Sequence, residues 1–298
     1  MKAHIITGEW FDAGTHDALL EASLKLQSLD PSAQIRTQSK TQEKVVAGVL
    51  LYKTENYDPM PYARPFFDSL LRQDYSGISI YVLDNGSMDT TGFDELRAAY
   101  PEINFLRSEK NLGFGGGHNF IVRSTACDYY AALNFDLLLE PDFMSHLVAG
   151  IKSRPEIGSV CGKLKRWDFT RFVEERTAGN STEEGKTNFI DSVGIRIRTN
   201  HRFEDRGQGE VDYGQYASKE EVFGASGAAA LYKRIALESV VFVNDKGEKE
   251  YFDELFFMYK EDIDLAYRLQ WAGWKSLYVP EAVGYHDRTA VSAGNDLF

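Results

Sequence analysis

The feature that most constrains this chain is an alternation of apolar runs and helical patterns between residues 45 and 162. The runs at 45–52 and 78–83 are almost continuously apolar and rich in β-branched residues, which is typical of strands buried on both faces. Because helical patterns separate such runs, we predict βαβ units in an α/β fold, with a mainly parallel sheet and helices on both faces. The predicted strands are 45–52, 78–83, 103–107, 128–133 and 158–162, and the predicted helices are 61–73, 93–99, 114–125 and 143–153.

Beyond residue 163 the pattern changes. Residues 186–213 alternate Ile, Val and Phe with polar side chains, which predicts a small antiparallel hairpin with its turn near Asn200 and His201. Two further helices are predicted at 224–239 and 261–272. Residues 1–42 follow neither pattern. We predict a short amphipathic helix at 15–29 and a polar linker at 37–44, within an N-terminal extension of unknown role.

Composition excludes several classes of protein. The formal net charge is −12 over 298 residues, which argues against a nucleic-acid binder, since phosphate neutralisation needs a basic face. An acidic protein that binds an anionic nucleotide needs local cations, helix N-termini or a metal ion. Only two cysteines, Cys127 and Cys161, are present, which fits a reducing compartment. No apolar stretch approaches the roughly 20 residues of a membrane span, and no secretory signal is recognisable, so we expect a cytoplasmic protein.

Several polar segments follow predicted strands, where ligands of parallel sheets bind. The loops at 52–58, 84–90 and 134–140 are therefore expected to share one rim of the sheet. In the loop after the second strand, the Asp84 carboxylate can accept hydrogen bonds from a base N–H or a ribose hydroxyl. The alternative is that Asp84, Asn85 and Gly86 are simply turn residues. After the fourth strand, Asp136 offers an oxygen ligand that could hold Mg²⁺ or Mn²⁺ against a diphosphate.

A glycine-rich segment spans residues 111–119 and enters a predicted helix. Glycines at a helix start let the backbone approach a ligand and offer N–H groups to phosphate. The segment is not a Walker loop, because no Gly-Lys-Ser/Thr follows. A dinucleotide fingerprint also fits poorly, because the glycines do not follow the first strand of the alternating unit.

Acidic residues and a histidine mark the last part of the chain. Glu261 and Asp262 open a predicted helix beside an aromatic run at 252–259. They either complement the helix dipole or serve in general base catalysis, because a carboxylate near an apolar wall has its pKa raised towards the working range. We assign Asp264 to a solvated pair with Arg268. His286 stands alone, and a lone histidine is more often a packed or surface residue than a ligand.

Taken in order, these segments resemble a family 2 glycosyltransferase, in its rhamnosyltransferase-like bacterial branch. The matching segments are 45–52, 84–89, 111–119, 134–136, 224–232, 252–264, 280–282 and His286. Each is weak by itself, but eight in the same order are specific. The resemblance implies a GT-A fold from residue 43 to 298. Residues 43–163 would form its nucleotide-binding half and residues 164–298 its acceptor and catalytic half.

The resemblance also implies roles for individual residues. Asp136 would be the metal-binding carboxylate of the family's Asp-X-Asp motif, whose first position is Asn134 here, and His286 would complete the metal site. Asp262 would be the catalytic base, with Glu261 as its neighbour. The residues expected to bind the nucleotide sugar are Tyr52, Asp84, Asn85, Asn111, Gly116, Asn119 and Asn134. Those expected on the acceptor side are Gly224, Ala225 and Ser226.

The implied function is a metal-dependent, inverting hexosyl transfer in cell-surface polysaccharide synthesis. The donor would be a dTDP- or UDP-linked sugar, with rhamnose favoured, and the cofactor Mg²⁺ or Mn²⁺. The acceptor would be a glycan or a polyprenyl-linked glycan, reached from the cytoplasm at the inner face of the membrane through peripheral contact. Members of the family carry further C-terminal helices that lie on the membrane, so we expect this domain to be C-terminally short.

Two other functions remain open from the sequence. A sugar nucleotidyltransferase also uses a parallel sheet and acidic metal ligands, but it would carry a basic, glycine-rich loop after the first strand, where this chain has Tyr52 to Asn56. A non-catalytic protein that binds nucleotide sugars or glycans would share the pocket but not the transfer. Donor binding without hydrolysis or transfer would identify it.

Overall fold

The computed structural model describes residues 42–179 and 184–288. The predicted N-terminal helix at 15–29, and all but the last residues of the predicted linker, lie outside the described residues. The described chain from Glu43 onward forms one compact unit. Among the described residues no helix is both long enough and apolar enough to cross a membrane.

The first half of the unit follows the predicted alternation. Its elements are β1 (Val45–Leu51), α1 (Met60–Leu71), β2 (Ile78–Asp84), α2 (Phe93–Ala99), β3 (Asn104–Arg107), α3 (Gly113–Ser124) and β4 (Tyr129–Leu133). Strand β1 pairs in parallel with β2 and with β4, and β2 pairs in parallel with β3. The predicted βαβ units are confirmed, and each predicted boundary in this half lies within two residues of the observed one.

The second half adds strands to the same sheet. Its elements are β5 (Leu137–Leu139), α4 (Phe143–Lys152), β6 (Ile157–Trp167), α5 (Phe169–Thr177), β7 (Lys186–Ser192), β8 (Ile195–Ile197), β9 (Phe203–Asp205), β10 (Glu220–Val222), β11 (Ala229–Lys233), α6 (Arg234–Ser239), β12 (Phe242–Val243), β13 (Lys249–Glu250), a 3-10 turn (Glu254–Phe256), α7 (Glu261–Trp271) and β14 (Lys275–His286). The strand order of the main sheet is β10-β14-β6-β11-β4-β1-β2-β3, with β5 beside β14 and β7 beside β6.

Helices cover both faces of the sheet, as predicted. Val45, Ala47, Val49 and Leu51 of β1 pack in one apolar cluster with side chains of α1 and α4. Val46, from the opposite face of β1, belongs to a second cluster that contains side chains of α3 and α7. Successive strand residues point to opposite faces, so a strand covered on both sides must be apolar throughout. This explains the continuous apolar run with which the sheet begins.

One predicted helix is wrong. Residues 224–239 were predicted to be helical, but β11 occupies Ala229–Lys233 and only Arg234–Ser239 forms a helix. Strand β11 pairs antiparallel with both β4 and β6, in the centre of the sheet. Its alanines are buried on both faces, and this pairing overrides the helix propensity of Ala.

The predicted hairpin is confirmed in a shorter form. Strands β8 and β9 pair antiparallel, and the turn between them contains His201 in the left-handed region at a φ of 59°. The first part of the predicted hairpin, β7, pairs with β6 in the main sheet instead. Strand β14 was not predicted. It pairs with β6 and β5, and its last residue, His286, lies opposite Leu137 in the register.

Candidate active site

A cavity of about 470 Å³ lies beyond the carboxyl ends of β1, β2 and β4. Tyr52, Asn85 and Asn134, which directly follow these three strands, all line it. The cavity therefore lies at the predicted rim, where the loops after parallel strands meet. Its lining contains nine of the candidate site residues: Tyr52, Asn85, Asn111, Asn134, Asp136, Ser226, Glu261, Asp262 and His286.

Asn85 fixes the start of the glycine-rich helix. Its Nδ2 donates to Asn111 Oδ1 at 3.1 Å and to the Gly113 carbonyl at 3.0 Å, and its Oδ1 accepts from the Leu112 amide at 3.1 Å. Asn85 and Asn111 thus form one hydrogen-bonded wall of the cavity. Asp84 is buried below this wall and does not line the cavity. It accepts from the Ser87 amide at 2.9 Å and is ion-paired with Arg107.

The glycines of α3 are explained by close packing. Gly113 has a φ of +70°, and a Cβ there would lie 2.2 Å from the carbonyl oxygen of Phe257. The Phe114 amide donates to that same carbonyl at 2.6 Å, and the Gly113 amide donates to Asn111 Oδ1 at 2.9 Å. Two amides at the helix start are therefore bonded within the protein and not free for a phosphate. Gly116 does not line the cavity but packs against Glu254.

Asn119 holds the segment that leads to the acidic helix. It is fully buried in α3, away from the cavity lining. Its Oδ1 accepts from the amides of Tyr251 and Phe252 at 3.0 Å each, and its Nδ2 donates to the Phe252 carbonyl at 2.7 Å and to Glu254 at 3.1 Å. Because all its hydrogen-bonding atoms are used in this way, Asn119 supports the site without reaching it.

Asp262 and Glu261 form the acidic wall of the cavity at the first turn of α7. Asp262 accepts from the Gly227 amide at 3.0 Å and from the Ile263 amide at 2.8 Å, and burial raises its pKa. Glu261 is only 6% exposed, and its Oε2 has no hydrogen-bond partner in the described part of the chain. Burial, and then the charge of Asp262, raise the pKa of Glu261 to about 7.

The segment 224–227 carries the predicted acceptor-side residues. Ser226 and Gly227 line the cavity, whereas Gly224 and Ala225 do not. A Cβ on Gly224 would lie 2.6 Å from the Cβ of Ala266, so this glycine allows α7 to approach the sheet closely. The contact keeps Asp262 beside the Gly227 amide.

Asp136 and His286 also line the cavity, where they face each other. The Oδ1 of Asp136 lies 3.2 Å from Nε2 of His286, and the side-chain Nδ2 of Asn134 lies 3.3 Å from the same nitrogen. On the other side of the ring, Nδ1 of His286 lies 2.9 Å from Asp191 Oδ2. Burial by itself lowers the pKa of His286, but the charges and hydrogen bonds of Asp136 and Asp191 outweigh burial and raise it to about 10.

This pair has the chemistry of a divalent-metal site. A carboxylate oxygen and an imidazole nitrogen suit Mn²⁺, and octahedral bonds of about 2.1 Å place neighbouring ligand atoms about 3 Å apart, close to the observed separation. Within the described ranges, no group of three or more His, Cys, Asp or Glu side chains is arranged to hold an ion by itself. The residues therefore fit an ion that takes its remaining ligands from a phosphate group or water.

Comparison with known families decides the class of the protein. The model of glycosyl transferase family 2 matches residues 56–241. The chain belongs to glycosyltransferase family 2. That match includes the loops that carry Asn85, Asn111 and Asp136, and it ends before α7.

Relatives of this family 2 glycosyltransferase include named enzymes. An N-acetylglucosaminyl-diphospho-decaprenol L-rhamnosyltransferase of Mycobacterium tuberculosis is 27% identical over 254 residues, which are 80% of this chain and 76% of that protein. An N-acetylglucosaminyltransferase of Mesorhizobium japonicum is 27% identical over 227 residues, or 72% of this chain and 45% of that protein. Both similarities cover most of the described unit.

Solved glycosyltransferases share the fold. Mannosyltransferase PcManGT of Pyrobaculum calidifontis, in complex with GDP-Man and Mn²⁺, superposes with a TM-score of 0.53 and 17% identity, covering 90% of this chain and 64% of that chain. GalNAc-T7, with UDP, GalNAc and Mn²⁺, has a TM-score of 0.58 and 11% identity, covering 83% and 44%. The family 2 chain thus spans less than two thirds of these structures. The predicted GT-A fold is confirmed.

Three charged residues of the site were not found from the sequence. Asp191 contacts the ring of His286, and Arg288 bridges Asp191 and Asp205. Arg288 lies 2.5 Å from Asp191 Oδ1 and 2.6 Å from Asp205 Oδ2. Burial by itself raises the pKa of Asp191, but His286 and Arg288 outweigh it and lower that pKa. No local signal separates Asp191 from any polar residue of a strand. Arg288 stands two residues after His286, and that spacing was the only available signal.

Proposed function

We propose that this family 2 glycosyltransferase is an inverting enzyme that moves a sugar from a nucleotide diphosphate to a hydroxyl of a glycan or lipid-linked glycan. The observation that carries the proposal is that Asp262 lines the same cavity as Asp136 and His286. A base and a diphosphate-binding group must flank one anomeric carbon for direct displacement. Tyr52, Asn85 and Asn111, on the adjoining wall, would bind the nucleotide.

The chemistry assigns a separate task to each wall. Asp136 and His286 would hold a divalent cation, Mg²⁺ or Mn²⁺, which when bound stabilises the charge of the leaving diphosphate. Asp262 accepts the proton of the acceptor hydroxyl while that oxygen forms its bond to the anomeric carbon and the bond from this carbon to the diphosphate oxygen breaks. The amides of Gly227 and Ile263 orient the carboxylate, and its remaining lone pairs are available for the proton.

An exposed apolar segment supports a lipid-linked acceptor. Leu255 is 92% exposed, Phe256, Phe257 and Tyr259 are exposed beside it, and Met258 is half-buried. Met258 and Tyr259 also line the cavity, so the apolar segment adjoins the place where the acceptor hydroxyl must enter. Contact of this segment with a lipid surface would bring the site to the inner face of the membrane. We assign rhamnose as the first donor sugar to test, because the M. tuberculosis relative is named a rhamnosyltransferase.

Asp262→Asn tests the catalytic assignment. We expect transfer to fall by about 10²–10⁴-fold, because the amide cannot accept the proton, while donor binding is unchanged. Transfer would be measured from dTDP- and UDP-sugars to an N-acetylglucosaminyl-diphospho-lipid and to the free glycan. Donor binding would be measured by calorimetry.

Asp264→Asn is the matched control. Asp264 lies on the same helix, pairs with Arg268 at 2.7 Å and does not line the cavity, so its variant should transfer normally. Near-normal turnover of Asp262→Asn would remove Asp262 as the base. Donor binding by the wild type without transfer to either acceptor would instead identify a non-catalytic binding protein.

A further inference from the structure

Asp191 is buried behind the ring of His286. Its side chain has no exposed surface, and its Oδ2 lies 2.9 Å from Nδ1 of His286. Its other oxygen is held by Arg288, which also bonds Asp205 on β9. Arg166 Nε also lies 4.0 Å from that oxygen. His286 is the partner of Asp191 that also contacts Asp136.

The backbone directs Asp191 into this position through a β-bulge. In the pairing of β7 with β6, Leu164 lies opposite Ser192 and Lys165 lies opposite Ile190. Adjacent residues of β6 therefore pair with residues of β7 that are two positions apart, and Asp191 is the extra residue between them. Bulges turn a side chain out of the regular alternation and recur next to active sites. A buried carboxylate costs free energy unless it is well bonded, so this arrangement calls for a functional explanation.

We propose that Asp191 is a positioning residue that makes His286 a metal ligand. To bind a metal ion, the imidazole of His286 must give up one proton and become neutral, and the hydrogen bond at one ring nitrogen then decides which nitrogen is left for the metal. Asp191 holds the remaining proton at Nδ1, which leaves Nε2 directed at Asp136 and the cavity. The inference rests on the proposed function, because it assumes that Asp136 and His286 hold the cation.

Arg288 completes the arrangement. Asp191 and Asp205 are carboxylates of like charge, and Arg288 forms an ion pair with each of them. The guanidinium bridges both, so Asp191 is held at one oxygen while the other contacts the imidazole. The bridge also ties the ligand histidine to the hairpin that forms part of the cavity wall, since Asp205 and Arg288 both line the cavity.

The test measures metal affinity without turnover. Mn²⁺ binding to the full chain would be followed by the electron paramagnetic resonance signal of free Mn²⁺, for the wild type and for Asp191→Asn. We expect the variant to bind Mn²⁺ about 10–100-fold more weakly, as is usual when a histidine ligand loses its carboxylate partner. Asp212→Asn is the control. Asp212 is also a buried, ion-paired carboxylate, bonded to Lys163 and Lys165 at 3.0 Å, but it does not line the cavity.

A double-mutant cycle separates positioning from a general loss of charge or structure. In a His286→Gln background, Asp191→Asn should change Mn²⁺ affinity by less than about twofold, because its effect passes through the ring. Thermal melting of each variant shows that it is folded. Equal Mn²⁺ affinity of the wild type and Asp191→Asn overturns the proposal. It is also overturned if Asp191→Asn weakens Mn²⁺ binding as much in the His286→Gln background as in the wild type. A wild type that binds no Mn²⁺ overturns it together with the metal part of the proposed function, whereas the Asp262 result is independent of both.

Discussion

At the scale of single residues, the two adjacent acids of α7 have different environments. Both oxygens of Asp262 accept backbone amides, whereas one oxygen of Glu261 has no hydrogen-bond partner within the described chain. The pKa of Glu261 is raised to about 7 by burial and by the charge of Asp262. Near pH 7 Glu261 is therefore only about half ionised beside the assigned base, which reduces the charge repulsion at the helix start.

This difference predicts a pH dependence of stability. The pKa of Glu261 is higher in the folded chain than in the unfolded one, so between the two values the folded chain binds more protons and stability falls as pH rises. Between pH 6 and 8, we expect the wild type to lose about 1 kcal/mol more than Glu261→Gln, which cannot titrate. Urea unfolding at both pH values measures this loss. Glu102→Gln, on the exposed surface, is the control, and identical slopes for the wild type and Glu261→Gln would contradict the raised pKa.

At the scale of elements, α3 supports the segment that precedes the acidic helix. The Phe257 carbonyl rests on Gly113 and accepts from the Phe114 amide, and Asn119, further along α3, anchors residues 251–254. Phe257, Tyr259 and Lys260 have positive φ values of 51°, 69° and 79°, a conformation that costs free energy for residues other than glycine. The contacts with α3 offset this cost, so the position of Glu261 and Asp262 depends on α3.

Gly113→Ala should therefore impair both stability and transfer. The new Cβ would have to push the Phe257 carbonyl aside, in addition to the strain of an alanine at positive φ. Gly273→Ala is the matched control, since Gly273 has a φ of +86° and nothing within 4 Å of its Cβ position. We expect the control to lose about 1 kcal/mol and Gly113→Ala roughly 2 kcal/mol more, with reduced transfer. Urea unfolding and transfer assays would measure both, and equal losses would show that α3 does not constrain the segment.

At the scale of the whole molecule, the negative charge makes nucleotide binding dependent on local cations. The chain carries a net charge of −12, and among the described residues the acidic side chains that line the cavity outnumber the basic ones, Lys260 and Arg288. The acidic ones are Asp136, Glu204, Asp205, Asp262 and the partly ionised Glu261. A nucleoside diphosphate entering this cavity meets like charges, which a divalent cation would offset. The cation and the nucleotide are therefore expected to bind cooperatively.

This cooperation predicts a metal-dependent rise in melting temperature. UDP or dTDP with Mn²⁺, at about 100 times the dissociation constant, should stabilise the fold by about 3 kcal/mol, or roughly 6–10 °C for a domain of this size. The nucleotide without Mn²⁺ should give a smaller shift, and Asp136→Ala should lose the part that depends on Mn²⁺. A thermal-shift series with and without EDTA measures both. If Mn²⁺ does not increase the melting-temperature shift that the nucleotide causes in the wild type, nucleotide binding does not require the ion.

The sequence by itself determined the βαβ half of the fold and the rim on which the candidate site lies. Strands buried on both faces must be continuously apolar, so β1 and β2 can be recognised from their local sequence alone. The order of the polar segments also placed Asn85, Asp136 and Asp262 at strand or helix ends. Which side chains meet was decided only by the tertiary structure.

Several features depend on partners between 23 and 135 positions away. They are strand β11, the pair of Asp84 with Arg107, the anchoring by Asn119 and the contact of Asp191 with His286. Contacts between residues so far apart produce no periodic pattern in the sequence. An alanine run is a helix by local propensity and becomes a strand only because β4 and β6 offer it hydrogen bonds on both sides. A polar residue in a strand becomes part of a site only when a bulge turns it towards a histidine 95 positions along the chain.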